Sequence, residues 1–141
     1  MSIPGVFRAQ ARACEALGSP FTARLLMVLA EMLHPGTAVF DRVLNWQGDP
    51  TSGGDSVPLR LAGGLHALVL SGKDDGLTGC YPPNIATNDQ TFRAAITSAL
   101  TLHKDHLLQW LDSPPQTNEV ARSAVLVAAG QSLASRFGLP L

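Results

Sequence analysis

Charged side chains are scarce in this sequence of 141 residues. Asp, Glu, Lys and Arg together make up 15 % of it, whereas an average soluble domain has about 25 %. Lysine is found only as Lys73 and Lys104, and the formal net charge is −1. Binding to nucleic acid through counterion release needs a concentrated positive face, and no run of basic residues is present. We therefore expect no nucleic-acid partner.

The chain combines few charged residues with many apolar ones. Hydrophobic residues make up 45 % of it. A folded domain of this composition exposes more apolar surface than it can easily keep in water. The composition therefore predicts that something outside this chain covers part of that surface. A second domain and a second copy of the chain are the two alternatives.

Long hydrophobic runs are also lacking. The longest is "LLMVLA", whereas a helix that spans a bilayer needs about 18 apolar residues or more. The N-terminal residues show no continuous apolar stretch of the kind found in signal peptides. We expect no membrane association.

Cysteine is rare, and the spacing of the two cysteines fits no metal-binding or redox motif. Cys14 and Cys80 lie far apart in the chain and form no C-x-x-C pair. Free thiols are typical of proteins in a reducing compartment. The sequence therefore favours a cytoplasmic location.

The short motifs that mark common catalytic loops are missing. The stretches "SGGDS" and "SGKDDG" are rich in glycine, but neither fits a phosphate-binding loop and neither follows a predicted strand. No G-x-S-x-G nucleophile turn is present. The sequence predicts no bound cofactor.

The sequence does show the periodicity of α-helices. Apolar residues recur at helical spacing through most of it, and no segment shows sustained alternation of apolar and polar residues. The fold class is therefore all-α, a single domain over residues 1–141 formed by a bundle of about six helices. The predicted helices cover residues 3–17, 20–34, about 37–46, 57–70, 89–111 and about 118–137, with at most one helical turn within 71–89.

Two glycines interrupt the predicted helix over residues 57–70. Gly63 and Gly64 each cost on the order of 1 kcal/mol in a helix relative to alanine. The usual compensation is a close approach by a neighbouring segment. We expect another backbone to pack against this part of the helix.

Histidines are the candidate chemical groups in the helical segments. His103 and His106 are spaced i, i+3 and could form part of a metal site, but no further ligands cluster near them in the sequence. We predict no metal site and interpret His103 as a buried histidine with one hydrogen-bond partner. His66 lies in an apolar helix and is interpreted as a core histidine bonded to a carbonyl or to a neighbouring side chain. A role of His66 as an acid or base stays open.

The stretch "PPQTNEVARSA" places polar residues at the start of the last predicted helix. Asn118 can cap that helix, Glu119 suits the positive end of its dipole, and Glu119 can pair with Arg122 three residues later. Gln116 and Thr117 have no such local role. Structural capping and contact with a ligand or a domain are therefore both left open for this stretch.

Four stretches together resemble a known family. "GSPFTARLL", "RLAGGLHALVLSG", "YPPN" and above all "PPQTNEVARSA" are similar to an uncharacterised bacterial family, domain of unknown function 2332, and the resemblance covers nearly the whole chain. Longer members continue into a second half whose first strand and loop resemble the first motif of S-adenosylmethionine-dependent methyltransferases. The positions that match the family's motifs are His66, His103, Gln116, Thr117, Asn118, Glu119, Arg122 and Ser123.

The resemblance implies a helical accessory or interaction domain. Such a domain would pack against a Rossmann-like methyltransferase-type domain that is missing here, with Gln116, Thr117, Asn118 and Glu119 at the junction. On its own it would bind no cofactor and catalyse no reaction. One alternative is a binding module that forms a symmetric homodimer through its apolar surface. Another is a small enzyme in which His66, His103 and Glu119 converge on one pocket as acid and base groups.

Overall fold

The computed structural model describes residues 2–51, 56–82 and 88–112. Within these residues the chain forms seven helices and no strand. This confirms the all-α fold class. Five of the predicted helices fall within these residues, where the structure has seven, and the helix predicted over about 118–137 lies outside them. The helices are α1 (Ile3–Ala16), α2 (Pro20–Met32), α3 (Ala38–Leu44), α4 (Val57–Leu70), α5 (Asp75–Thr78), α6 (Asp89–Leu102) and α7 (Lys104–Leu111).

Capping residues account for most of the helix boundaries. The Ser2 hydroxyl accepts a hydrogen bond from the Gly5 N–H at 3.1 Å at the start of α1. The Ser56 hydroxyl accepts one from Leu59 N–H at 3.4 Å at the start of α4. Gly18 follows α1 with φ of +82°, a conformation that glycine adopts without steric strain, and it turns the chain into α2.

The helix predicted over residues 20–34 ends earlier, at Met32. Leu33 is extended, with ψ of 112°. Pro35 disfavours a helical conformation of the residue before it, so the chain leaves the helix before His34. The predicted bounds of α4 are confirmed.

The prediction of one continuous helix over residues 89–111 is wrong. The helix breaks at His103, where φ is −112° and ψ is 30°, and α7 begins at Lys104. In α7, Leu107 and Leu111 are buried, while His103 and Trp110 are only half-buried. No proline or glycine lies at the break, so contacts with other helices must hold it.

The core is built mainly from α2 and α4. Leu25, Leu26 and Leu29 on α2 are fully buried. Burying a side chain of this size contributes about 1.5–3 kcal/mol. The largest fully buried side chains are Phe7, Leu25, Leu26, Leu29, Leu61, Leu65, Leu68, Leu77, Phe92, Ile96, Leu107 and Leu111.

Helix α7 packs against α4 at Gly64. A Cβ atom at this position would lie 3.0 Å from Leu107 Cδ2 and 3.3 Å from Trp110 Cγ. A close approach at Gly64 is thus confirmed. The nearest approaching atoms belong to side chains of α7.

Arginine side chains join segments that are far apart in sequence. Arg24 pairs with Asp89 at 3.0 Å, Arg42 with Asp112 at 2.7 Å, and Arg93 with Glu31. Arg60 donates a hydrogen bond to the Leu111 carbonyl at 2.7 Å. These contacts tie the ends of α6 and α7 to α2, α3 and α4.

Candidate functional site

His66 and Tyr81 form a hydrogen-bonded pair inside the bundle. His66 is carried by α4, and Tyr81 follows α5. The histidine is 1 % exposed and the tyrosine 2 %. His66 Nδ1 lies 2.5 Å from the Tyr81 hydroxyl, and the two rings are nearly perpendicular, at 88°. The pair therefore joins the segment after α5 to the centre of α4.

Two phenylalanines complete an aromatic cluster around this pair. The ring of Phe21 lies 4.5 Å from that of Tyr81 and 5.8 Å from that of Phe92, centroid to centroid. Aromatic pairs in tilted arrangements such as these contribute beyond the area that they bury. The surroundings of His66 are those of a packed core.

Burial keeps both members of the pair uncharged. Desolvation lowers the pKa of His66 to about 3. Desolvation, followed by the nearby Cys80, raises the pKa of Tyr81 well above its ordinary value. Near neutral pH the pair is thus an imidazole and a phenol that share one hydrogen bond. His66 Nε2 has no hydrogen-bond partner among the described residues.

Asp74 and His103 form a second polar contact. Asp74 caps α5, since its Oδ1 accepts a hydrogen bond from Leu77 N–H at 2.9 Å. Its Oδ2 lies 3.2 Å from His103 Nε2, which is ion-pair distance without hydrogen-bond geometry. The Asp74 side chain is 10 % exposed and that of His103 is 22 % exposed. The contact therefore ties the break between α6 and α7 to the start of α5.

His106 lies one turn into α7. Burial is the largest cause that lowers its pKa, with the charges of Lys73 and His103 acting in the same direction, and a hydrogen bond to the Gly64 backbone opposes them. Its ring centroid lies 6.0 Å from that of Trp110. In the part of the chain that the structure describes, no three His, Cys, Asp or Glu side chains are placed to hold a metal ion.

The structure gives the two predicted histidines separate partners. His66 has the core position and the side-chain partner that the sequence predicts. The prediction that His103 is buried is wrong, since it is half-buried and faces Asp74. Glu119 lies outside the described residues, as do Gln116, Thr117, Asn118 and Arg122. Convergence of His66, His103 and Glu119 on one pocket therefore stays a prediction.

Sequence reasoning did not identify Tyr81 and Asp74 as the partners of these histidines. Tyr81 is the single tyrosine of the chain, and a buried tyrosine usually needs a hydrogen-bond partner. A single tyrosine that needs a partner and a histidine in an apolar helix could therefore have been matched to each other from the sequence. Asp74 caps α5, and its contact with His103 has no local signal in the sequence.

A separate groove runs between α1 and α2. It is open, has a volume of about 290 Å³, and is lined almost entirely by apolar surface. Ala11 and Ala23 are buried beneath it, and their small side chains leave the space between the two helices. The lining residues are Ala11, Arg12, Glu15, Pro20, Ala23, Arg24 and Met27.

Residues 5–141 match a family described as an uncharacterized protein conserved in bacteria, DUF2332. The chain belongs to the DUF2332 family. This confirms the resemblance found in the sequence motifs. No curated protein matches this DUF2332 chain, and no solved structure matches it. In the described residues, none of the helices has the length and apolar character needed to cross a membrane.

Proposed function

We propose that this DUF2332 chain is a helical accessory domain that packs against a Rossmann-like, S-adenosylmethionine-dependent methyltransferase-type domain. One observation carries the proposal: the histidines best suited to acid or base chemistry are used to join parts of the fold. His66 is bonded to Tyr81 in the core, and His103 faces Asp74 at the helix break. Because both histidines hold parts of the fold together, this domain is better suited to support a neighbouring domain than to catalyse a reaction.

The exposed apolar side chains support a covering partner. Leu17 is 83 % exposed and Leu102 is 73 % exposed, in a chain of which only 15 % is charged. Burying apolar surface is the main favourable term in most protein association. A partner domain would therefore remove from water surface that this chain leaves uncovered.

In this proposal the polar stretch before the last predicted helix lies at the junction. Gln116 and Thr117 would donate and accept hydrogen bonds across it, and Asn118, Glu119 and Arg122 would brace it. The cofactor would be held by the partner domain, and this chain would contribute no group to the reaction. We place the complex in the cytoplasm, because Cys14 and Cys80 are both free and buried thiols and a reducing compartment keeps them so.

The test is a binding titration with separately purified proteins. The full chain is titrated by isothermal calorimetry with the methyltransferase-type second half of a longer DUF2332 protein, and in a separate cell with S-adenosylmethionine alone. We expect heat of binding with the protein and none with the cofactor. The double variant Gln116→Ala/Thr117→Ala should weaken the complex about tenfold or more, because it leaves polar groups of the partner unpaired.

Gln90→Ala is the matched control, because Gln90 is an exposed amide on α6 and its loss should leave binding unchanged. Absence of binding to the second half would refute the proposal. A calorimetric signal with S-adenosylmethionine alone would also refute it, since this chain would then hold the cofactor itself.

A further inference from the structure

The end of α7 is held by side chains from two other helices. Arg42 on α3 donates two hydrogen bonds to Asp112 Oδ1, one from Nε at 3.2 Å and one from a terminal guanidinium nitrogen at 2.7 Å. Arg60 on α4 donates a hydrogen bond to the Leu111 carbonyl at 2.7 Å. The last residue of α7 and the residue that follows it are therefore both fixed by arginines.

Trp46, two residues after α3, lies against both of these arginines. The guanidinium carbon of Arg42 lies 4.4 Å from the centroid of the Trp46 ring, and that of Arg60 lies 5.6 Å from it. A cation within about 6 Å of such a ring is attracted to its face. Contact with the indole therefore helps to hold both guanidinium groups in place. Arg42, Trp46, Arg60 and Asp112 form one group, which we call the α7-end cluster.

The pair between Arg42 and Asp112 does more than end α7. The C-terminal end of a helix carries a partial negative charge, so an aspartate there is unfavourable and a cation is favourable. Asp112 nevertheless occupies the C-cap position of α7, with its carboxylate paired to Arg42. A neutral residue would end the helix without needing a partner. What the pair adds is a fixed position for the residue at which the chain leaves α7.

The sequence after the cluster is suited to transmit that position. Ser113 is followed by Pro114 and Pro115, and all three lie outside the described residues. A proline fixes its own φ at about −65° and favours extended conformations of the residue before it. The sequence therefore predicts a short, stiff spacer with Gln116 directly after it. The position of Asp112 would then limit where Gln116 can lie.

We propose that the α7-end cluster positions the polar stretch Gln116–Arg122 for the methyltransferase-type partner domain. Arg42, Trp46 and Arg60 are positioning residues in this inference, since they act through the chain that leaves α7. The inference rests on the proposed function, because it takes the polar stretch to be the junction. Without the cluster the stretch would sample more orientations, and binding would have to select one of them at a cost in conformational entropy.

The first test compares two arginines that hold different parts of the fold. Arg42→Gln removes the contacts with Asp112 and Trp46. Arg93→Gln is the matched control, because it also removes a pair with a carboxylate, Glu31, and the two arginine side chains are 33 % and 34 % exposed. Each variant of the full chain is titrated by calorimetry with the second half of a longer DUF2332 protein. Arg42→Gln should raise the dissociation constant about tenfold, and Arg93→Gln should leave it unchanged.

A second variant shows whether the effect passes through the prolines. Pro114→Gly/Pro115→Gly makes the spacer flexible and does not alter the cluster. It should weaken binding about as much as Arg42→Gln does. Adding Arg42→Gln to it should weaken binding no further, because a flexible spacer no longer transmits the position of Asp112. Urea unfolding of each variant checks that it is folded.

The possible outcomes separate this inference from the proposed function. Additive losses of affinity in the combined variant would overturn the inference, since Arg42 would then act independently of the spacer. Equal losses with Arg42→Gln and Arg93→Gln would overturn it as a general effect of charge. If Arg42→Gln bound as tightly as the unaltered chain, the inference would fail while the proposed function stood. Absence of binding by the unaltered chain would refute the proposed function, and this inference with it.

Discussion

His66 is a buried, neutral imidazole that makes a hydrogen bond inside the core. Its partner is the hydroxyl of Tyr81, and both side chains are almost inaccessible to water. Removing one partner of such a pair leaves a buried polar group without a hydrogen bond, which costs about 1–3 kcal/mol. His66 therefore contributes to the stability of the fold. The pH dependence of the free energy of unfolding can measure that contribution.

Protonation of His66 should oppose folding in mildly acidic solution. The pKa of its side chain is about 3 in the folded chain, compared with an ordinary value of 6.5. Between these values the unfolded chain binds more protons, so the free energy of unfolding falls as the pH falls from about 6.5 towards about 3. The steepest slope that one group can give is about 1.4 kcal/mol per pH unit.

We expect urea unfolding from pH 7 down to mildly acidic pH to show this loss in the unaltered chain and a smaller loss in His66→Gln. Glutamine does not titrate and can keep a hydrogen bond to Tyr81. The pKa of His106 is also lowered, but His106 is present in both proteins, so the difference between them reports His66. Equal slopes in the two proteins would show that His66 titrates normally in the folded state.

At the scale of single elements, the helices with clear local signals were predictable. Serine caps with a following proline mark the starts of α1 and α4, and Gly18 marks the turn before α2. The break at His103 was not predictable, because kinks are usually recognised by proline or glycine and neither is there. The break is held by the contacts of His103 with Asp74 and of Leu107 with Gly64 on α4, so no local pattern records it.

Gly64 should be more sensitive to substitution than its helical position suggests. Alanine is favoured over glycine within a helix by about 1 kcal/mol. A Cβ at this position would lie 3.0 Å from Leu107 Cδ2, and overpacking in a core costs about 1–3 kcal/mol. We expect Gly64→Ala to lower the free energy of unfolding by up to about 2 kcal/mol, measured by urea unfolding, and to change the fluorescence of Trp110.

Gly76→Ala is the matched control on α5. A Cβ there would meet only Asp74 Oδ1, at 3.5 Å, an ordinary contact. This variant should be neutral or slightly more stable than the unaltered chain. If Gly64→Ala were stabilising to the same degree, the contact between α4 and α7 would be looser than the structure indicates.

For the whole molecule, the packed core and the ion pairs between distant helices contribute unequally to stability. The three pairs of arginine with a carboxylate join residues that are 65, 70 and 62 positions apart in sequence. Their carboxylates are each more than half exposed, so water and salt screen them. Exposed pairs of this kind contribute roughly 0.2–1 kcal/mol each. They therefore orient the helices more than they stabilise them.

The fold class followed from helical periodicity, because that pattern records which face of each helix packs against the core. The partners of individual polar side chains did not, because Tyr81 and Asp74 meet their histidines only after the helices have packed. The groove between α1 and α2 could not be predicted either. It depends on how Ala11 and Ala23 come together, and the sequence of neither helix shows this by itself.

Salt and a core substitution should therefore have effects of different size on the unfolding of the full chain. Leu65 is fully buried, and Leu65→Ala should lower the free energy of unfolding by about 2–5 kcal/mol, through lost burial and the cavity that it leaves. Raising the NaCl concentration from about 0.05 M to about 0.5 M shortens the screening length severalfold. It should change the free energy of unfolding by about 1 kcal/mol or less, since the pairs that it screens are already exposed.

Both measurements are made by urea unfolding at the same low protein concentration, so that they report the unfolding of single chains. Arg93→Gln is the companion variant, because it removes the pair with Glu31 and, among the described residues, Arg93 lies over no aromatic ring. It should resemble the effect of salt and stay within about 1 kcal/mol. If salt or Arg93→Gln destabilised the chain as much as Leu65→Ala does, the ion pairs would hold the bundle together, and the packing of α2 and α4 would be secondary.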